Sequence, residues 1–385
     1  MRILRHGFLI SGILTVALAG EPPLAREGKY WVEVLSGTEA MPASARVHIT
    51  SRGAVTLTGA SAQEIAYTLK VRVKAANMDE ARVMMKRFNV RALRQGGANV
   101  YLVVQRGDGM ADLDVRVPRA VPDTGISTTG GAVAFNDLDG AVQVETGGGA
   151  VNADRIGGNV SIRTAGGDIT LGTIGGNATC VTAGGRIAAG LVRGEATFQT
   201  GGGDIMAREI QGLVHATTMA GSIGIHNAGS AVIASTGGGP IDVGQARGLV
   251  TASNSGGPVK VGSAEGVHCE NAGGGVNLDN VSGSVRVSTA IGSIIASLLA
   301  GKPMSDSFLS TGGGDITVII PSNVGVTIRA QNELAGSIRR IISDYPGIRV
   351  RVEGGQVIAE GPVNGGGPVL RISGAGGTIF IKRQR

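Results

Sequence analysis

Aromatic side chains make up only 3% of the 385 residues, with a single tryptophan. A groove for single-stranded nucleic acid interleaves basic residues with stacking rings, and clefts for polysaccharide commonly offer aromatic platforms too. Both classes lose support. Two cysteines cannot build a disulfide framework, and five histidines without ligand spacing do not suggest a zinc site. No apolar run reaches the roughly 17–25 residues of a membrane-spanning helix. The longest candidate, Gly7–Ala19, has only 13.

That short run has a different meaning. Arg2, Arg5 and His6 precede it and Ala17-Leu18-Ala19 ends it, which is the basic, apolar and A-x-A order of a secretory signal peptide. Residues 1–19 are therefore expected to direct export. No cysteine follows the apolar run, so no lipoprotein attachment is expected. The predicted location is periplasmic, outer-surface associated or secreted, without stable membrane insertion after cleavage.

What the sequence has in excess is glycine, 66 residues in all. No G-X-Y period accompanies it, which excludes collagen. A hydrophobic content of 42% argues against disorder. A fold with many tight turns remains, and the periodicity says which. Val133, Val151, Ile169, Ile187, Ile205, Ile223, Ile241 and Val259 follow one another at 18-residue steps, then come Val276 and Ile294 at 17 and 18. A second series, Val142, Val160, Ala178, Ala196, Val214, Val232 and Val250, lies midway, offset by nine. Two nine-residue halves make one coil.

Within each half, alternate residues share a face, as Val142, Val144 and Thr146 do. The residues between them are polar or small, so one face is buried and the other wet. Glycine clusters such as Gly147–Gly149 and Gly201–Gly203 are expected to supply turns with positive φ. Thr146, Thr164, Thr182, Thr200, Thr218 and Thr236, then Asn254, Asn271 and Thr289, form a ladder at one inner position. Equivalent residues 18 apart suit coils stacked in parallel, and the crossover rule favours a right-handed turn. The fold class is therefore all-β: a parallel β-solenoid over residues 126–299. A small α+β domain at 28–118, with a short helix at 78–88 capped by Asn77, is expected to cover its first coil. Residues 300–385, where the register slips over Lys302–Ser307, should complete and cap the other end.

The order of signal peptide, a β-rich region ending Val115-Arg116-Val117-Pro118, Thr-Gly-Gly-Gly-Asp-Ile coils, Ile320-Pro321 and Asn364-Gly365-Gly366-Gly367 resembles the bacterial "putative adhesin" β-solenoid family of unknown function. The resemblance implies an envelope-located β-solenoid. It brings no catalytic residues with it.

Candidate chemistry is sparse. His215 and His268 fall in one outward column three coils apart, His226 lies on the other wall and His48 is alone, so no metal site is predicted. Cys180 and Cys269 share one inward column five coils apart, roughly 24 Å, beyond disulfide reach; they should be free, buried thiols. Gly166-Gly167-Asp168-Ile169-Thr170-Leu171 departs from the calcium-binding repeat G-G-x-G-x-D-x-U-x. Asp168, Arg186 and Asp204 could form an alternating ion ladder. Basic residues gather near the front (Arg82, Lys86, Arg87, Arg91, Arg94) and near the end (Arg339, Arg340, Arg349, Arg351, Lys382, Arg383, Arg385) and read as solvated faces. No catalytic, cofactor-binding or metal-binding residue is expected, and no cofactor. The predicted function is a non-enzymatic interaction or scaffold protein, adhesin-like, whose flat polar faces meet an envelope or cell-surface protein or polysaccharide, with no nucleic acid partner. The alternative is a saccharide-processing or saccharide-binding β-helix with paired acids near 302–315.

Overall fold

The computed structural model describes residues 24–41, 45–95, 99–104, 107–333 and 340–384. The signal-peptide residues 1–19 lie outside them. Among the described residues no helix is long and apolar enough to cross a membrane.

The chain winds as a parallel β-solenoid with two strand-bearing walls. One wall carries Val160–Thr164, Ala178–Thr182, Ala196–Thr200 and Val214–Thr218, each in parallel register with the next. This is the threonine wall. Opposite it stand Val151–Ile156, Ile169–Ile174, Ile187–Val192, Ile205–Ile210 and Ile223–Ala228, the isoleucine wall. Ile169 pairs with Ile187 and Ile187 with Ile205, so residues 18 apart do sit one above another. Where the sequence steps by 17, Val259 pairs with Val276. The 22-residue step is also absorbed in register, Ile294 on Ile316.

The core is a single cluster from Ala45 to Ile381. Aliphatic columns fill most of it, each buried side chain contributing about 1.5–3 kcal/mol. The rare phenylalanines are matched by smaller neighbours. Phe198 lies between Cys180 and Ala216 on its own wall, and the nearby coils of the facing wall carry Ala189 and Ala207.

The threonine ladder bonds through the turns. Thr182 Oγ1 donates to the carbonyl of Gly167 in the preceding coil (3.0 Å) and accepts from its own turn's Gly185 N–H (3.1 Å). Thr200 repeats this with Gly185 and Gly203, and Thr218 with Gly203 and Gly221. These hydroxyls are buried, and leaving such polar groups unpaired would cost about 1–3 kcal/mol each. Asn254 performs the same task with its amide, donating to Gly239 and Gly257 and accepting from Gly256 and Gly257.

Positive φ does occur at glycines such as Gly274, Gly365 and Gly366, but in the regular coils glycine is needed for another reason. Of the four clusters at 147–149, 201–203, 237–239 and 312–314, only Gly314 has φ in the left-handed range. The constraint elsewhere is space. A Cβ on Gly185 would lie 2.1 Å from the carbonyl oxygen of Gly167, and one on Gly203 equally close to that of Gly185. By contrast, a Cβ on Gly184 or Gly202 meets nothing within 4 Å.

Residues 28–118 do not stand apart as a domain. Arg46–Ser51 and Val55–Ala60 form a coil in parallel register beneath Asp123–Thr128 and Val133–Leu138. Asn99–Val104 and Met110–Pro118 form the next coil outward. The coil nearest the solenoid thus comes from earlier sequence. Antiparallel strands Val90–Gln95, Glu64–Val73 and Tyr30–Ala40 then finish the edges. The helix Met78–Met85 is capped as expected, Asn77 Oδ1 accepting from Glu80 N–H at 2.9 Å. The parallel strands of these two coils escape the 18-residue reading because their partners are 53 to 78 positions away, as in Val47 on Val100 and Val133 on Val55.

The other end mirrors this plan. The last strands, Val369–Gly374 and Ile379–Arg383, slot between the coil Ser307–Thr311/Ile316–Ile320 and the strands Val326–Glu333 and Ile341–Ser343. Gln356–Val363 and Arg349–Glu353 close the threonine wall in antiparallel fashion.

Gly185→Ala is expected to destabilise the protein by about 1–3 kcal/mol through forced overpacking, whereas Gly184→Ala should be nearly neutral. Paired denaturant melts measure both. Equal losses would mean that backbone conformation, not coil-to-coil approach, selects glycine.

Candidate interaction surfaces

On the isoleucine wall the outward residues form a groove of about 560 Å³ that runs along the solenoid over the strands from Ile169–Ile174 to Ile241–Ala246. Its floor includes small residues, Ala188 and Gly190 on one strand, Gly224 and Gly244 on two later ones, all at outward positions. Met206, 42% exposed, rises from it, and Arg208, His226 and Asp242 supply polarity. A second groove of about 430 Å³ continues from Asp242 through Lys260 and Asn277 to Ile295. Together they make a trough built by parity: outward side chains of repeating strands rim it, and inward core residues such as Ala189, Ala207 and Val259 show at its base. The alternation in the sequence already marks Met206 and Ile295 as apolar residues facing outward. Only the stacked coils make them neighbours.

Asp242 is the sole carboxylate lining the first groove among the described residues. The acids of the 302–315 segment are engaged elsewhere. Asp306 Oδ1 accepts the N–H of Val369 (2.9 Å) and Asp315 Oδ1 that of Thr378 (2.8 Å), each anchoring the start of a strand 63 residues later. Lys302 reaches Glu265 at 3.7 Å. The arrangement uses these charges to seat the inserted final coil.

The anticipated Asp168–Arg186–Asp204 ion ladder is replaced by backbone capping. Asp168 Oδ1 accepts the N–H of Arg186 (2.8 Å), and Asp204 Oδ1 accepts both the N–H and the hydroxyl of Ser222 (2.7 Å each). The column is correct, but the short aspartate reaches the turn amide of the next coil more readily than a guanidinium. The Ser222 hydroxyl, then its N–H, hold Asp204 below its usual carboxylate range. A charge cluster that the spacing did not announce lies at the strand ends of the first coils. Arg155 bridges Asp137 (2.7 Å) and Asp154, and Arg119 meets Asp139 at 2.8 Å. The hydrogen bond from Arg155 depresses Asp137. Both Asp137 and Arg155 have positive φ, at 60° and 53°.

His215 and His268 lie three steps apart in one column of the threonine wall, through Ile233 and Thr251. His226 is on the opposite wall. His48 has company after all, stacking on Tyr101 with ring centroids 4.7 Å apart. Cys180 and Cys269 are free and buried in one inward column, linked through Phe198, Ala216, Ala234 and Ala252. Burial, then the nearby Glu270, pushes the Cys269 thiol up to about 12, and burial raises Cys180 as well. Among the basic residues, Arg94 pairs with Glu39 (2.8 Å) and Arg87 with Asp108 (3.4 Å). Lys382 lies over the ring of Phe380 and Arg383 over that of Tyr345. Arg339 and Arg385 lie outside the described residues.

No family model matches the chain, and no curated protein matches it. Solved structures similar to it include two bacterial proteins. One is described as a "putative cell adhesion protein" from Clostridium sporogenes, 9% identical, covering 91% of this chain and 100% of that one, with a TM-score of 0.20. The other is a "putative adhesin" from Bacteroides fragilis, 10% identical, covering 91% and 97%, with a TM-score of 0.22. The descriptions share the adhesin label of the family that the glycine-rich coils resemble. At such TM-scores the likeness carries no argument, and the solenoid rests on this chain's own strand register.

Thiol reagents should leave Cys180 and Cys269 unmodified in the native protein and label both in denaturant. Fast native labelling would contradict the inward column. A carboxyl group with a depressed folded pKa stabilises above its unfolded value, about 3.9, and that contribution fades as pH falls through the folded value. Asp204→Asn should therefore shrink the acid-induced drop in Tm below about pH 4; an unaltered acid limb would deny the Ser222 linkage.

Proposed function

We propose that the protein is an extracytoplasmic, non-enzymatic interaction protein with an adhesin-like role. It holds rigid, ladder-like faces toward an envelope or cell-surface partner. The observation that carries this reading is the trough on the isoleucine wall, where outward residues recur at the strand pitch of about 4.8 Å over at least five coils. Such a surface fits an extended partner lying along the solenoid better than a small substrate enclosed on several sides. The core cluster running from end to end supports a stiff platform, as expected when each coil packs only on its neighbours.

The saccharide-processing alternative draws on Asp242, His226 and Arg208 in the same trough. Glycoside hydrolysis ordinarily employs two carboxyl groups across the scissile bond, and Asp306 and Asp315 hold strand starts instead. The binding reading therefore accounts for more of the surface.

Photo-crosslinking residues placed at positions 206 and 215, one on each wall, test the proposal in the native host after cell fractionation. A recurrent envelope or surface component should attach to at least one of them, and the protein should fractionate outside the cytoplasm. Uncrosslinked chain at both positions, a cytoplasmic fraction, or hydrolysis of host polysaccharide by the purified protein would overturn it.

A further inference from the structure

The outward column of the threonine wall changes character toward the carboxyl-terminal end. Through the middle coils it carries Ser161, Thr179, Thr197 and His215. Beyond His268 it reads Arg286, Phe308, Arg371 and Arg329 on four neighbouring strands, each residue directly beside the next. Sequence order hides this, because Arg371 enters between residues 308 and 329 only when the last coil is inserted. All four side chains are exposed, Phe308 by 42%. None of the three arginines forms an ion pair among the described residues.

Placing Arg371 directly beside Arg329 costs stability, since like charges on neighbouring strands repel. The fold does not require this. Three strands before Arg371 in the same column stands His268, and before that Thr251. Phe308 is equally out of place as an isolated feature, being a large ring on a wet face between two guanidinium groups. Alongside the column run Ser288, Ser310, Ser373 and Gln331, with the Gln331 amide 3.4 Å from the Ser373 hydroxyl. Phe308, Arg371, Arg329, Gln331 and Ser373 line a groove of about 230 Å³. Glu360 also borders it and stands directly beside Arg329 as the next residue of the column, but it is itself engaged by Arg351 at 2.9 Å and faces Arg349 on its other side.

From this we infer that the Arg286–Phe308–Arg371–Arg329 column is a binding site for a linear acidic polysaccharide. The inference rests on the proposed interaction role and names the partner's chemistry. A polymer bearing carboxylates at intervals, laid along the solenoid axis, meets cationic groups on three of four neighbouring strands, whose pitch is about 4.8 Å. Arginine holds a carboxylate through two parallel N–H donors. The Phe308 ring offers an apolar surface to the C–H face of a sugar, and the adjoining serine and glutamine groups match its hydroxyls. Single-stranded nucleic acid shares the negative charge but requires a succession of stacking rings, and this column has one.

The test uses polygalacturonate as the acidic polymer, dextran as the neutral one and single-stranded DNA as competitor, with affinity measured at low and high salt. Polygalacturonate should bind and dextran should not, with affinity falling as salt screens the charges. Arg371→Gln and Arg329→Gln should each weaken binding by about tenfold, and Arg371→Gln should leave Tm unchanged or slightly raised, because a repulsion has been relieved. Phe308→Ala should weaken binding without altering its salt dependence, and Arg193→Gln, exposed in the turn after Ile187–Val192, should change nothing. Equal retention on dextran, polygalacturonate binding indifferent to the arginine variants, or preferential binding of single-stranded DNA would each overturn the inference. Any of those results alongside a specific envelope crosslink from position 206 or 215 would remove this site alone. Their combination with an absent crosslink would remove the interaction role as well.

Discussion

Backbone from one coil passes so close to the turn of the next that no side chain fits between them, and much of the structure follows from that approach. With Gly185 lying over Gly167, a β-carbon would stand 2.1 Å from a carbonyl oxygen. The same closeness lets the buried Thr182 hydroxyl span two turns, donating to one coil and accepting from its own. Glycine and threonine are thus two halves of one device. It holds the walls at strand-pairing distance, so that Ile169, Ile187 and Ile205 can stack as a continuous column. Stability then accumulates between neighbours instead of residing in any single coil.

A stack of this kind must end, and exposed strand edges invite further pairing. This chain solves the problem in the same way twice. Near the front, the coil from residues 46–60 is inserted between the solenoid and the later coil from 99–118. Near the back, the final strands from 369–383 are inserted beneath strands that precede them in the chain. Antiparallel strands then add to both walls at the front and to the threonine wall at the back. Asp306 and Asp315 fasten the carboxyl-terminal insertion by accepting the first amides of its strands.

The repetition that builds the core also governs the surface. An outward side chain has its counterpart on the next strand as a permanent neighbour, so a substitution at one coil edits a row instead of an isolated point. Small residues in such rows form the trough on the isoleucine wall. Unpaired arginines in another row concentrate charge on the threonine wall. A rigid ladder fixes the spacing of these groups in advance, which lowers the ordering cost that a flexible surface would bear on meeting an extended partner.

Much of this was legible without coordinates, because 18-residue identity, two-residue alternation and nine-residue offset each reflect a local geometric rule. The two walls, the inward threonines and the separated, buried Cys180 and Cys269 all follow from counting. The helix cap at Asn77 was equally visible, being settled within one turn of chain. Counting failed where pairing ceased to be sequential. Val47 beside Val100, or Arg371 beside both Phe308 and Arg329, depends on which free edge accepts a distant segment. Likewise, repetition marked the glycines but not their purpose, since the clash that excludes a β-carbon arises only when a second coil is present. Local periodicity specified the coil; packing between remote segments decided how the stack is closed and which charges share a face.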